Sequence, residues 1–212
     1  MSTNTVSPIL LELCQFRPHP ELPDAEFRGA LRASRTFLES RPGFFGRTLL
    51  YSPASQLWTD AVRWSSLELA QEAFVRMAEL PDLRPLTERL VDVTMHHLAR
   101  VDDLTIGAPP APLDDCAYEV ITYRLKPGVS AEFYREALAA FGEAVAPMDG
   151  FVGREVFCDE ESGLWAELIR YADHAAVERL APIVMALPAA ARLFDAIEQD
   201  SVGIHFGSEV SL

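Results

Sequence analysis

Five histidines, His19, His96, His97, His174 and His205, are the side chains of this chain best suited to exchange protons near neutral pH. A metal site is not expected from them. Neither HxH nor HxxxH occurs, and His96 and His97 are neighbours on a strand-like run, so their side chains point to opposite faces and cannot share one ion. Covalent catalysis lacks a signature as well: there is no GxSxG, and Cys14, Cys116 and Cys158 stand far apart with no CxxC. Cys14 and Cys158 read as small core residues in apolar runs. No GxGxxG follows a strand and no phosphate-binding loop is present, so nucleotide cofactors have no support.

A second set consists of charges inside apolar strand-like runs: Glu12, Asp60 and Arg63, and again Glu119, Glu167 and Arg170. Such charges need partners once buried. They are either structural ion pairs or the lining of a pocket that orients a polar substrate. Trp58, Trp64, Trp165, Tyr118, Tyr123 and Tyr171 fall on the same runs. They serve either as ordinary core or as the walls of a cavity for a flat ring.

The elements that carry these residues come twice. Shifted by 107 positions, Glu12 meets Glu119, Arg17 meets Arg124, Gly43-Phe44 and Gly46-Arg47 meet Gly150-Phe151 and Gly153-Arg154, and Leu57-Trp58 meets Leu164-Trp165. Eighteen identities fall in the 75 positions from 12 to 86 without a gap, against roughly 6–7% expected from ordinary residue usage. The reading is therefore an internal duplication: a first module over 1–101, an extended Pro- and Asp-rich linker over 102–115, and a second module over 116–212.

Within the second module, 117–125 is rich in β-branched and aromatic residues and reads as a strand. Ser130 caps a helix in which Phe133, Ala137, Ala140, Phe141 and Ala144 recur at helical spacing. A hairpin covers 151–158 and 164–171, and Asp173 caps a second helix ending near Leu187-Pro188. A short helical stretch at 189–199 and a strand at 201–210 follow. The first module repeats this: strand 9–17, helix 24–40 capped by Asp24, hairpin 45–64, helix 67–80, short helix 83–90 and strand 92–101. The order is β-α-β-β-α-β. Gly43 and Gly150 supply the positive φ that turns each helix into a strand. Leu164, Ala166 and Leu168 lie on one side of their strand and Trp165, Ile169 and Tyr171 on the other, so both faces are expected to be buried.

Arg124-Leu125-Lys126-Pro127-Gly128 after the first strand resembles the strand-to-helix turn of antibiotic-biosynthesis-monooxygenase (ABM) domains in the dimeric α/β-barrel superfamily. So do Gly150-Phe151-Val152-Gly153-Arg154 and the aromatic closing the third strand, Trp64 or Tyr171. The first module carries Gly43-Phe44-Phe45-Gly46-Arg47 but a divergent Pro18-His19-Pro20 turn. The resemblance implies an α+β fold of two fused ferredoxin-like modules whose antiparallel sheets face each other as an intramolecular barrel, a pseudo-dimer that could assemble further. It also implies a cofactor-independent oxygenase acting on a small aromatic or polyketide-like compound. The alternative is a non-catalytic or stress-related barrel that binds a small apolar molecule. Haem-degrading relatives carry a strand-one Asn and a Trp and His on the second helix. The matching positions here are Ile121 and Ala73, Leu83, Leu180 and Ala190, so no cofactor is expected.

Cofactor-free oxidation needs a base and donors around an apolar pocket. His174, Arg170, His97 and His205 are the catalytic candidates, and Trp64, Tyr171, Tyr123, Trp165 and Arg63 the substrate-binding ones. His97 and His205 occupy near-equivalent places on the two last strands. The second module is expected to hold the working pocket, because Trp64 and Leu67 are replaced there by Tyr171 and His174, beside Arg170.

A net charge of −14 opposes binding to nucleic acid or anionic lipid. No run of eighteen apolar residues occurs, and the first residues lack the basic start of a secretion signal, so a cytoplasmic protein is expected.

Overall fold

The computed structural model describes residues 9–107 and 116–212 and divides the chain into two compact units. One takes in the described residues up to Ala99 together with Val210–Leu212; the other is Arg100–Glu209. Among the described residues the fold is α+β, with eight strands and six α-helices.

The first unit runs β1 (Leu10–Pro18), α1 (Asp24–Glu39), β2 (Phe44–Ser52), β3 (Leu57–Trp64), α2 (Leu67–Ala78), the single turn α3 (Arg84–Glu88) and β4 (Leu90–Arg100). Its strands pair antiparallel in the order β4-β1-β3-β2. The second runs β5 (Ala117–Arg124), α4 (Ala131–Val145), β6 (Phe151–Asp159), β7 (Leu164–Tyr171), α5 (His174–Met185), α6 (Pro188–Ala196) and β8 (Gly203–Glu209), paired antiparallel in the order β8-β5-β7-β6. Each unit thus has the β-α-β-β-α-β order read from its sequence, with one short extra helix before the last strand.

Local chemistry explains most boundaries. The Ser130 and Asp173 side chains accept from the backbone N–H groups of Phe133 and Ala176, capping α4 and α5 as expected. Asp24 does not cap α1. Pro23 occupies the cap with extended backbone and no side-chain bond, and Asp24 is the first helical residue, tied instead to Arg28. Gly43 and Gly150 adopt φ of +76° and +96°, and their carbonyls accept from Ser65 and Ala172, which locks each second strand beside the end of the third. A Cβ at Gly150 would lie 2.7 Å from that of Ala176, so glycine is needed for space as well.

The buried face of α4 differs from the expected one by a rotation of one residue. Tyr134, Ala137, Leu138 and Val145 face the sheet, while Phe133 is 44% exposed. The Tyr134 ring wins the inward place by packing edge-on against both Tyr123 and Trp165. Every residue of β7 is buried, as its two-sided apolar pattern requires. Of the stretch 102–115 expected to be a linker, 108–115 lies outside the described residues. Ahead of it, Asp102–Leu104 form one 3₁₀ turn and Ile106 pairs with Arg154 across an antiparallel bridge.

Candidate functional site

Side chains alternate along a strand, so one face of the second unit's sheet carries Glu119 and Tyr123 on β5, Arg154 on β6, and Trp165, Glu167, Ile169 and Tyr171 on β7. Helices α4 and α5 cover this face: Tyr123 and Trp165 pack with Tyr134 and Leu138, and Ile169 and Tyr171 with Ala176 and Leu180. Polar groups trapped here must satisfy one another. The Tyr123 hydroxyl donates to Glu167 Oε1 at 2.7 Å, and the Tyr171 hydroxyl donates to Glu119 Oε2 at 2.9 Å.

Arg154 lies at the centre, 1% exposed. Its Nη2 donates to the carbonyls of Leu138 at 3.2 Å and Leu104 at 3.4 Å. Its Nη1 stands 3.6 Å from Glu167 Oε2, an ion pair without a hydrogen bond, and both Nη1 and Nε lack an acceptor. Gly142 makes room for this guanidinium under α4, since a Cβ there would lie 2.6 Å from Nη2. Arg154 borders a small cavity between α4, α5 and the sheet, walled by Phe141, Met148, Phe151, Tyr171 and Leu180. The cavity measures about 20 Å³, enough for about one water.

The electrostatics suit proton transfer at its edge. Burial raises the Glu119 carboxyl above its ordinary range; the Tyr171 bond opposes that shift and the charge of Glu167 adds to it. Burial also pushes the Tyr171 and Tyr123 phenols upward, which keeps both protonated as donors. A carboxylate of raised pKa, a phenol that contacts it and a guanidinium with unused N–H groups together can accept a proton from a bound hydroxyl and hold the resulting oxyanion.

The corresponding face of the first unit is closed. Arg47 Nε and Nη2 bind the two Asp60 oxygens at 2.8 Å and 2.6 Å, and Nη1 donates to Ser34 Oγ at 3.0 Å. Trp64, wholly buried against Val62, Ala70 and Ala73, fills the place that Tyr171 holds in the second unit.

The residues singled out from the sequence divide by face. Tyr171 borders the cavity, and Tyr123 and Trp165 lie on the same sheet face. Trp64 lies on the matching face of the first unit. Arg170 follows Ile169 and so projects from the opposite face of β7, where its charge acts on the Tyr118 phenol. His174 opens α5 on the surface with Nε2 2.8 Å from Ser208 Oγ. His205 stands opposite Val120 on β8. His97 is 3.2 Å from Glu12 Oε2 on β4, and buried Arg63 donates to Thr48 Oγ1 at 3.1 Å. None of these five borders the cavity. Arg154 was legible only as part of a glycine motif. The signal that could have found it is the hairpin register, which sets Arg154 and Val156 against Ile169 and Glu167.

Cys14 and Cys158 are poor nucleophiles: burial pushes Cys14 up to about 12 and Cys158 up to about 11, both being half-buried. Among the described residues no three His, Cys, Asp or Glu side chains are arranged to hold a metal ion. No imidazole borders the cavity, so it offers haem no axial ligand and haem does not fit this site.

No family model and no curated protein matches the chain. Solved structures do. An anthrone oxidase-like protein aligns with a TM-score of 0.69 at 13% identity, covering 96% of this chain and 92% of its own. A chlorite dismutase from Candidatus Nitrospira defluvii, solved with imidazole, gives 0.68 at 9% identity over 96% and 91%. A "putative monooxygenase" from Lactobacillus acidophilus NCFM gives 0.66 at 10% identity over 95% and 94%. These neighbours belong to the dimeric α/β-barrel superfamily, and the likeness to them is one of fold.

Proposed function

We propose that this protein is an ABM-like, cofactor-independent oxygenase of a small hydroxyaromatic compound, built from two ferredoxin-like modules that arose by duplication. The second module does the chemistry and the first is its scaffold. The observation that carries this reading is Arg154: a buried guanidinium with two nitrogens lacking acceptors, set against an apolar cavity. Tyr171 and Glu119 take the substrate proton, and Arg154 holds the anion left behind. Such an electron-rich anion reacts with dioxygen without metal or flavin, in a site whose apolar walls exclude water. The neighbours named as an anthrone oxidase-like protein and a monooxygenase support this class. The three cysteines form no disulfide, which suits the cytoplasm.

Oxygen uptake by metal-stripped protein, followed with an electrode across a panel of hydroxyaromatics, tests the reading. Uptake that Glu119→Gln or Arg154→Met abolishes is the expected result. The apolar lining of the cavity favours a second reading, a barrel that binds a small molecule without converting it. Saturable binding with no oxygen consumed by any compound of the panel would establish that one instead.

A further inference from the structure

Arg154 is only half used, and the residues that leave it so differ together from their counterparts 107 positions earlier. In the first unit every guanidinium nitrogen of Arg47 has an acceptor, from Asp60 and Ser34. In the second unit Phe141 stands where Ser34 does, and the nitrogen turned toward α4, Nη2, donates to the carbonyls of Leu138 and Leu104 instead. Tyr123 stands where Phe16 does, and its hydroxyl draws the Glu167 carboxylate to itself at 2.7 Å, leaving 3.6 Å to Arg154. Trp64 becomes Tyr171, and the cavity opens beside them. The Tyr123 hydroxyl thus loosens the carboxylate's hold on Nη1 and Nε, and Tyr171 leaves space beside them, whereas a core refined for stability alone would keep the pair closed.

We infer that Arg154 is the anchor for an anionic oxygen of a ligand, a carboxylate or phenolate carried on an apolar body. The site deepens the proposed function by naming the group recognised, and it rests on the same cavity but not on turnover. A cavity of about 20 Å³ takes the oxygen itself. Phe151, Ile169, Leu180 and Val184 present only hydrocarbon to the rest, and half-buried Phe141 and Met148 are the side chains that the ring would have to displace. The ring of Phe141, 5.7 Å from Arg154 Cζ, covers the cation until the anion arrives. A charge-assisted bond in this dry setting distinguishes an anion from a neutral molecule of the same shape.

Titration calorimetry of the full chain with benzoate, benzamide and formate tests this. Benzoate should bind at least about tenfold more tightly than benzamide, and Arg154→Met should remove that difference. Because Arg154→Met opens a buried pair and could unfold the protein, Tyr123→Phe provides a second test. It frees Glu167 to close on Arg154 and should weaken benzoate by about tenfold with an unchanged circular dichroism spectrum. Formate binding as tightly as benzoate would identify a free small oxyanion as the ligand; benzoate binding more tightly would identify an aromatic acid. Either supports the anchor. Equal binding of benzoate and benzamide, no binding of any probe, or full benzoate affinity in folded Tyr123→Phe would overturn it. Oxygen uptake is not read here, so an inert protein that prefers benzoate refutes the oxygenase and leaves the anchor standing. Uptake without anion preference does the reverse.

Discussion

Arg47 grips Asp60 through two hydrogen bonds of 2.8 Å and 2.6 Å, with side chains only 8% and 15% exposed. The pair 107 positions later, Arg154 and Glu167, is more deeply buried and yet stands 3.6 Å apart. The same two positions therefore hold different arrangements: a closed, bidentate pair in the first unit, and a pair without a hydrogen bond in the second.

Asp60→Asn leaves the Arg47 charge buried without its carboxylate. The cost should be about 3–5 kcal/mol, the usual penalty for breaking a buried pair from one side. The double change Arg47→Met with Asp60→Leu, which removes both charges, should cost less than the single one. Urea denaturation of the three proteins checks the order, and a single variant no less stable than wild type would show that the pair is not structural.

Gly142→Ala should lower the melting temperature, against the ordinary helix preference, which favours alanine by up to about 1 kcal/mol. The new methyl would lie 2.6 Å from Arg154 Nη2 and 2.7 Å from Ile106 Cδ1. Arg154 would have to surrender its bonds to Leu138 and Leu104. Gly29→Ala in α1 is the control: nothing lies within 4 Å of that methyl, so it should stabilise by about 0.5–1 kcal/mol. Thermal melts in which both variants move the same way would contradict this account of the Arg154 cradle.

The element order was legible because periodicity and caps are local. Alternation marks the strands, and Ser130 and Asp173 announce their helices. The site was legible only in part. Glu119, Glu167 and Tyr171 stand out as polar or aromatic residues in apolar runs, but Arg154 sits inside a motif whose two glycines already account for its spacing. His174, beside Tyr171 and Arg170 in the chain, suggested one cluster. The strand period of two sends Arg170 and Tyr171 to opposite faces, and His174 opens a helix at the surface. What sequence proximity cannot supply is the face, and the face decides which groups meet.

The pH dependence of stability has a definite sign at Glu119. Burial, its largest perturbation, raises the folded-state pKa above the ordinary value of 4.5; the Tyr171 hydroxyl opposes the shift and Glu167 reinforces it. Between the unfolded and folded values the native state binds more protons than the unfolded chain. Its stability therefore falls as pH rises through that window, and the penalty is fully present above it. Glu119→Gln keeps an acceptor for Tyr171 and removes the titration. Relative to wild type it should gain stability at neutral pH and lose that advantage near about pH 4. Melting curves of the two proteins that run parallel from about pH 4 to 8 would show that the carboxyl is not perturbed.

Tyr171 and Trp64 offer a direct exchange between the open and closed arrangements. Trp64 packs against Ala73, whereas α5 places Leu180 beside Tyr171. Tyr171→Trp combined with Leu180→Ala should therefore fold, fill the cavity and abolish benzoate binding. Oxygen uptake should fall by about 100-fold or more, since the proton path through the phenol goes as well. Tyr171→Phe separates the two effects, because it keeps the space and removes only the hydroxyl; benzoate should still bind while uptake falls. If the tryptophan variant folds and binds benzoate as wild type does, the ligand lies elsewhere on the protein. If Tyr171→Phe turns over at the normal rate, Glu119 receives its proton by another route and the phenol is only a wall.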